Sequence, residues 1–513
     1  MKKSDKIIFT LAVSIGFFLL LFKISSHNLW IDEAYTLRMI SYSFKKLCLT
    51  VFQQDPHPPF YYIFLKIWCL IFGSNLLSCV CFSVFFALLA VFAGCILSRI
   101  IFGNGFSMIV PLIMTSPFFI IFSKHIRYYS FVSFLVLMNI IFLIKFIESS
   151  KKVWWYLLLF FHVVLLYSDY PASTIFAGEF IAVLILRRDK LKQLFLLDII
   201  VVVLFLPWLS RIFYSLRHLS SLPVVALFSS GVKGFFVRVF FSVYDFILGE
   251  CVYPWSIHVT LPIFLIFSIG FIRFVKIFPS FSKRHKENSM LLITTVGISF
   301  FIGIFMANRF VGKQSFVYMP SRMMFCFIPF MIVFSRGIFS FRNYRYFLMM
   351  VIVVLNFFGL KNYYTGQNYI NPIYAVDWDD AATFTKDNYR YGDIVISDNT
   401  EVMDYYVKSF SQDTLFFENQ DRLKKYLLAE NFDKKIRFFL TFTRRDSTRS
   451  GYFEEKFIKY LIDRSDVLEK RDYGAVSDKY YDFKKRIAGR AYRYKMSFYL
   501  LSIDPNVLLR YFK

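Results

Sequence analysis

The sequence predicts an α-helical polytopic membrane protein of about 11 transmembrane helices, followed by a small C-terminal extracytoplasmic α/β domain. Three observations predict it. Of 513 residues, 57% are hydrophobic and 21% aromatic, with 68 Phe against 20 Gly and 15 Pro, whereas soluble globules are about half apolar. Apolar stretches long enough to cross a bilayer recur through residues 1–360. Past Leu360 the pattern changes to short apolar runs alternating with polar helical stretches.

The formal net charge is +25, from 60 Lys+Arg against 35 Asp+Glu. Divided after Leu360, the first part holds 33 basic and 12 acidic residues (+21) and the second 27 and 23 (+4). In the first part the basic residues stand in short runs between apolar stretches, as membrane-flanking cations do. The partner this charge predicts is the lipid bilayer, not nucleic acid.

Spans are expected at 7–22, 76–98, 106–123, 129–147, 153–169, 172–186, 194–210, 259–277, 289–306, 320–335 and 346–360, because about 20 apolar residues cross the hydrocarbon core. The first follows Lys2, Lys3 and Lys6 as a signal peptide would, but no small-x-small cleavage pattern follows, so a retained helix is expected. With the N-terminus cytoplasmic, the inner segments hold 18 Lys+Arg in 51 residues and the outer segments 14 in 127, which satisfies the positive-inside rule. An odd number of spans then puts residues 361–513 outside. Outer loops 23–75 and 211–258 are too long for simple connections, and the apolar run 59–72 suits a re-entrant or interface-lying helix.

In the outer domain, helices near 377–389, 401–410 and 421–429 alternate with strands at 393–397, 415–418 and 436–441, an order that implies parallel crossovers in a layered domain. No Gly-rich phosphate loop accompanies it. Cys48, Cys69, Cys79, Cys81, Cys95, Cys251 and Cys326 all precede this domain. An outward domain without cysteine suits a bacterial envelope, and the bacterial inner (plasma) membrane is the expected location.

The twelve carboxylates before residue 361 are scarce enough to be informative, and three crowd the first outer loop: Trp30-Ile-Asp32-Glu33-Ala-Tyr35-Thr36, then Gln54-Asp55-Pro56-His57-Pro58-Pro59. Adjacent Asp32 and Glu33 lie about 100° apart on a helix, so one serves a site while the other caps a helix or pairs with a cation. An Asp at the water–membrane boundary suits a general base that takes a proton from a hydroxyl. The spacing equally allows a helix-start pair favoured by the positive end of the following helix. Three prolines stiffen the backbone around His57, which either presents the imidazole to a phosphate or carboxylate or makes a simple helix entry.

The Asp-Glu-Ala-Tyr motif just after the first span, with His-Pro-Pro-Phe-Tyr-Tyr some 25 residues later, resembles polytopic GT-C glycosyltransferases, specifically the protein-mannosyltransferase and aminoarabinose-transferase-like family. The likeness covers the first 360 residues in layout, and an outward C-terminal domain is common among members. It implies a transfer in which a sugar leaves a polyprenyl-phosphate carrier for an extracytoplasmic acceptor (glycan, lipid or protein), with no further cofactor. It implies catalytic Asp32, with Glu33 as the matching acidic neighbour, and a donor- or leaving-group-binding role for His57.

The same resemblance bears on other positions. Arg127 and Tyr128, in Lys124-His125-Ile-Arg127-Tyr128-Tyr129, fall where members show an Arg-x-Tyr-like patch; Arg127 is a donor-phosphate candidate or an interfacial anchor. Where some relatives carry an acid just downstream, this chain has Ser130-Phe131-Val132-Ser133. Arg322, in Ser321-Arg322, resembles the family's late Arg and with Lys313 upstream is a candidate for binding the carrier's phosphate, although the usual Arg-Tyr is Arg322-Met323 here. Asp169, in Ser168-Asp169-Tyr170-Pro171, and Asp55 are candidates for orienting substrate; a Pro-containing turn with an Asp cap also explains Asp169. Glu179 and Asp198, far from the outer face, are expected to be structurally paired. No metal-ligand spacing is present.

Two other readings compete: an envelope polysaccharide polymerase using a polyprenyl-diphosphate glycan, and a non-catalytic lipid-linked-sugar transporter. Transporters favour inverted repeats and broken helices meeting at mid-membrane, whereas the polar signatures here sit in outer segments. The sidedness is testable with a reporter active only outside the cytoplasm. Fused after residue 513 it is expected to be active, and inserted within 187–190 silent; the opposite pattern would invert the topology.

Overall fold

The structure is a computed structural model that describes residues 3–512, apart from 26, 56, 104–108, 150, 220–231, 310–319, 372–373, 375, 398, 408–413, 431, 433, 446–452, 474–477 and 489–493. Lys313 lies outside the described residues. The chain forms two compact units: Met1–His27, Met39–Gln367 and Ile487–Gly489 make the first, and Asn28–Arg38, Asn368–Arg486 and Arg490–Lys513 the second.

The helices in order are α1 (Lys3–Leu21), α2 (Ile31–Ser41), α3 (Phe44–Gln54), α4 (Phe60–Phe72), α5 (Leu76–Phe102), α6 (Ile109–Met114), α7 (Pro117–Lys124), α8 (Tyr129–Glu148), α9 (Lys152–Leu166), α10 (Ile175–Leu186), α11 (Leu191–Leu219), α12 (Val232–Leu248), α13 (Ile257–Ile277), α14 (Lys283–Arg309), α15 (Met324–Phe339) and α16 (Arg345–Tyr364). Among the described residues, seven are long and apolar enough to cross a membrane: α5, α8, α11, α13, α14, α15 and α16. Four shorter apolar helices, α1, α4, α9 and α10, join them.

The number agrees with the about 11 that hydropathy predicts, while one predicted span is not continuous. Within the predicted span 106–123, the described residues form two helices, α6 and α7, both buried along their length. The cause is local: Ser116 precedes Pro117, takes an extended conformation (φ −65°, ψ 126°) and accepts a hydrogen bond from the Phe119 amide. A residue before proline is driven out of the helical region, and Ser is a good N-cap. The buried pieces fill the interior, so their apolar composition reflects packing.

Burial separates central from peripheral helices. The apolar window of α8 is 83% buried and that of α11 22%. α8 packs against α5, α9 and α15, while Phe195, Val202, Val203 and Leu206 of α11 are exposed, as a lipid-facing helix requires. Glycines let helix backbones touch, which matters where lipid offers no hydrophobic gain for association. A Cβ on Gly337 of α15 would collide with the carbonyl oxygen of Gly270 on α13, and one on Gly178 of α10 with that of Thr295 on α14. Between α9 and α10, His162 Nε2 and Glu179 Oε2 pair at 2.7 Å with both side chains fully buried. Glu179 is thus paired, as expected, and Asp198 lies within electrostatic reach of both residues.

In the second unit, α17 (Trp378–Asn388), β1 (Ile394–Ser397), α18 (Thr400–Val407), β2 (Leu415–Phe417), α19 (Gln420–Ala429) and β3 (Ile436–Arg445) match the predicted alternation. They are followed by α20 (Glu455–Arg464), β4 (Asp466–Tyr473), α21 (Asp478–Ala488), β5 (Tyr494–Ile503) and α22 (Pro505–Phe512). The sheet order is β2-β1-β3-β5-β4. β1 pairs in parallel with β2 and β3, whereas β5 runs antiparallel to both β3 and β4. The parallel half fits the crossovers read from sequence; the antiparallel half has no counterpart there. Every residue of β1 is buried, as a strand covered on both faces should be. Ile394, Phe438, Leu440, Phe457, Leu461 and Leu501 anchor the core.

The backbone contact of α13 with α15 gives a stability prediction. Gly337→Val is expected to destabilise the protein by about 1–3 kcal/mol through overpacking, read as a lower melting temperature in detergent. A melting temperature unchanged from wild type would show that the helices do not meet there.

Candidate active site

In the first unit, the predicted residues Asp55, His57, Arg127, Tyr128, Asp169 and Arg322 come together. Asp55 is the C-cap of α3, with an extended backbone (φ −92°, ψ 132°) that ends the helix. Its carboxylate is 1% exposed. Oδ1 accepts from the His57 amide at 2.7 Å and pairs with His57 Nδ1 at 2.9 Å; Oδ2 accepts from the Tyr62 hydroxyl at 2.7 Å. Its carbonyl oxygen accepts from Arg211 Nη2 at 3.1 Å. Burial pushes the Asp55 carboxyl up, but the hydrogen bonds and charge of His57, with the Tyr62 hydroxyl, outweigh it and hold the group below its ordinary value.

With Nδ1–H donated to Asp55, Nε2 of His57 points away from the carboxylate and meets Arg127 Nη2 at 3.4 Å. A guanidinium only donates, so Nε2 is the acceptor and the ring is neutral. Burial, together with the Arg127 and Arg322 charges, lowers the His57 pKa and so favours this form, even though Asp55 pulls the other way. His57 therefore orients an arginine instead of supplying a cation itself. Its ring also lies 5.4 Å from that of Tyr128.

Arg127 and Tyr128 occupy the turn between α7 and α8, each 3% exposed. Arg322 sits in a 3-10 turn, Pro320–Met323, leading into α15, and its charge reaches His57, Tyr128 and Asp169. Asp169 lies in the turn after α9. Its Oδ2 caps the following 3-10 turn by accepting from the Ala172 amide at 2.9 Å, the cap expected of such a turn. Its Oδ1 is buried without a hydrogen-bond partner among the described residues. Burial raises the Asp169 pKa to about 7, against the opposing pull of the Ala172 amide and of Arg322 and Arg127. A buried acid poised near neutrality beside arginines is the kind of group that marks a functional site. The Asp169 turn is joined to the His57 segment directly: Phe60, first residue of α4, donates its amide to the Tyr167 carbonyl at 3.0 Å, and the two rings stack at 4.9 Å.

Three participants escaped the sequence reading. Arg211, at the end of the apolar part of α11, is 5% exposed; a lone Arg after Pro207 and Trp208 was the available signal, since intramembrane and boundary charges default to function. Tyr170 accepts from Trp208 Nε1 at 2.7 Å, and burial pushes its hydroxyl up to about 12. Tyr62 belongs to a motif that was recognised, but its bond to Asp55 depends on the path of the chain through Pro58 and Pro59.

Asp32 and Glu33 belong to the second unit. Both stand in the first turn of α2. Glu33 is fully buried, and its Oε2 accepts from the Trp30 amide at 3.2 Å, the backward-reaching half of a capping box. Glu33 thus makes the helix-start contact that the sequence allowed for one member of the pair. Asp32 is partly exposed, and its carbonyl accepts from the Thr36 hydroxyl at 2.8 Å.

No protein-family profile and no curated protein matches the chain by sequence. Solved structures do match in fold. ArnT from Cupriavidus metallidurans in the apo state superposes with a TM-score of 0.55 at 9% identity, covering 97% of this chain and 98% of that one. ArnT bound to undecaprenyl phosphate gives 0.51 at 10% identity, covering 95% and 97%. The apo oligosaccharyltransferase of Archaeoglobus fulgidus gives 0.49 at 12% identity over 86% of this chain and 70% of that one. The chain has the GT-C fold, in agreement with the class its motifs resemble.

Asp169 generates a pH prediction. Its folded-state pKa, raised to about 7 from 3.8, gives a stabilising share that is whole below 3.8 and is lost as pH rises through about 7. Asp55 and His57, both lowered, work in the opposite sense and lose stability on acidification. The difference in melting temperature between wild type and Asp169→Asn should therefore shift against wild type between about pH 4 and 7. A constant difference across that range would place the Asp169 titration elsewhere.

Proposed function

We propose that the protein is an inverting glycosyltransferase that moves a sugar from a polyprenyl-phosphate carrier to an extracytoplasmic acceptor, at the outer face of a bacterial inner membrane. The observation that carries this reading is the gathering of Arg127, Arg211 and Arg322 around His57 and a near-neutral Asp169. Among these named groups positive charge predominates, which suits a departing phosphate, and charged hydrogen bonds in a poorly hydrated pocket are strong. Support also comes from the fold, whose ArnT example is described as bound to undecaprenyl phosphate.

The chemistry is a displacement at the anomeric carbon. The acceptor oxygen forms the new bond to C1 while the C1–O bond to phosphate breaks, and the bonding pair leaves with polyprenyl phosphate. The acceptor proton goes to Asp32, the base implied by the Asp-Glu-Ala-Tyr motif. Arg127, held by His57 Nε2, and Arg322 stabilise the charge that develops on the phosphate; Lys313, upstream of Arg322 in sequence, contributes to the same anion. Asp169 Oδ1 takes a hydrogen bond from a sugar or acceptor hydroxyl. The donor is itself a substrate, and the reaction needs no further cofactor.

Purified Asp32→Asn protein is expected to lose transfer by about 10²–10⁴-fold, the usual contribution of general-base catalysis, while still binding undecaprenyl phosphate. Arg127→Ala and Arg322→Ala should each weaken that binding by about tenfold or more. Full transfer by Asp32→Asn would remove the residue from the mechanism, and unchanged carrier binding by both arginine variants would remove the phosphate site.

A further inference from the structure

The segment that carries the Asp-Glu motif packs with the C-terminal residues of the second unit. The half-buried Asn28 side chain bridges residues 376 and 378: its Nδ2 donates to the Val376 carbonyl and its Oδ1 accepts from the Trp378 amide at 3.0 Å. An amide side chain that both donates and accepts in this way copies a β-bridge, fixing position and direction together. Two residues on, the Trp30 ring meets that of Tyr374 edge to face at 5.1 Å, and both are buried. At the far end, Arg38 Nη1 lies 3.9 Å from Glu401 Oε1.

The partners are themselves fixed. Trp378 is 1% exposed and opens α17, whose N-cap Asp377 accepts from the Asp380 amide at 3.0 Å. Leu29, between Asn28 and Trp30, is fully buried. Within the segment, Glu33 closes the first turn of α2 onto the Trp30 amide. The backbone of Asp32 is thereby set two residues after one anchored position and four after another.

We infer that the C-terminal α/β unit is a positioning element for the Asp-Glu motif, and that Asn28 is its principal positioning residue. This rests on the glycosyltransferase reading for its functional consequence and on the contacts above for its structural one. A base must sit within hydrogen-bond reach of the proton it takes, and an error of about 1 Å in such a group costs about 10²-fold. Asn28, Trp30 and Trp378 touch no reacting atom in this scheme; they act through Asp32.

The test uses the full chain in nanodiscs. Asn28→Ala removes both bonds, Asn28→Asp keeps the acceptor and loses the donor, and Trp30→Leu removes the ring contact by a separate route. Hydrogen–deuterium exchange of residues 29–38 is expected to rise about tenfold in Asn28→Ala and less in Asn28→Asp, while residues 57–66 and the strands β1 and β3 exchange as in wild type. Transfer should show kcat lowered about tenfold with the donor KM within about twofold, partly restored in Asn28→Asp and reproduced in Trp30→Leu. Wild-type exchange across 29–38 in Asn28→Ala and Trp30→Leu, or a raised KM at unchanged kcat, would overturn the proposal. A wild type that transfers no sugar overturns the enzymatic reading and the kinetic half of this one; the exchange rates then decide whether the segment is held as described.

Discussion

The bond between the Asp55 carboxylate and the His57 ring, 2.9 Å long and nine-tenths or more buried on the acid side, is the constraint on which the site depends. It fixes the imidazole tautomer, and the tautomer decides what His57 can do. With Nδ1–H committed to the acid, Nε2 is left as an acceptor that holds a guanidinium. The same carboxylate takes the Tyr62 hydroxyl at the start of α4, and the same residue's carbonyl takes Arg211 from α11. One buried acid thus ties four segments of chain, and a buried charge is tolerable only when its bonds are complete.

From that constraint the charge balance follows. Asp55 remains ionised because it is fully engaged, whereas Asp169, with one oxygen capping a turn and the other without a hydrogen-bond partner among the described residues, drifts toward neutrality. Two acids within one cluster are therefore pushed apart in their protonation, the separation that acid–base sites exploit. The arginines Arg127 and Arg211 are almost wholly buried near them, and a guanidinium so placed is strongest toward planar anions such as phosphate. Scarcity of acids in the membrane part, read at first as a composition fact, is what leaves the cluster basic.

Much of this was legible in the sequence, and what was not had physical reasons. The long apolar helices, the order of the first three strands and the grouping of Asp55, His57, Arg127, Asp169 and Arg322 were signalled by hydropathy, alternation and motif resemblance. The break within 106–123 went unread because hydropathy does not register an interruption of a helix, and only the Ser116-Pro117 step betrays it. β4 and β5 escaped because β4, Asp466–Tyr473, is an edge strand without a buried residue and lacks the apolar run that marks β1. Arg211 and Tyr170 join the site through tertiary contacts from distant turns, which no local pattern records. The fate of Glu33 was open in the sequence, and its bond to the Trp30 amide, a tertiary detail of the helix entry, was not legible there.

The central claim, departure of a polyprenyl monophosphate, is tested most directly by mass spectrometry of the carrier lipid after purified protein in nanodiscs is incubated with total membrane lipids and envelope acceptors. Accumulation of undecaprenyl monophosphate that depends on the protein is the predicted result. Accumulation of undecaprenyl diphosphate, or of no carrier at all, would contradict it.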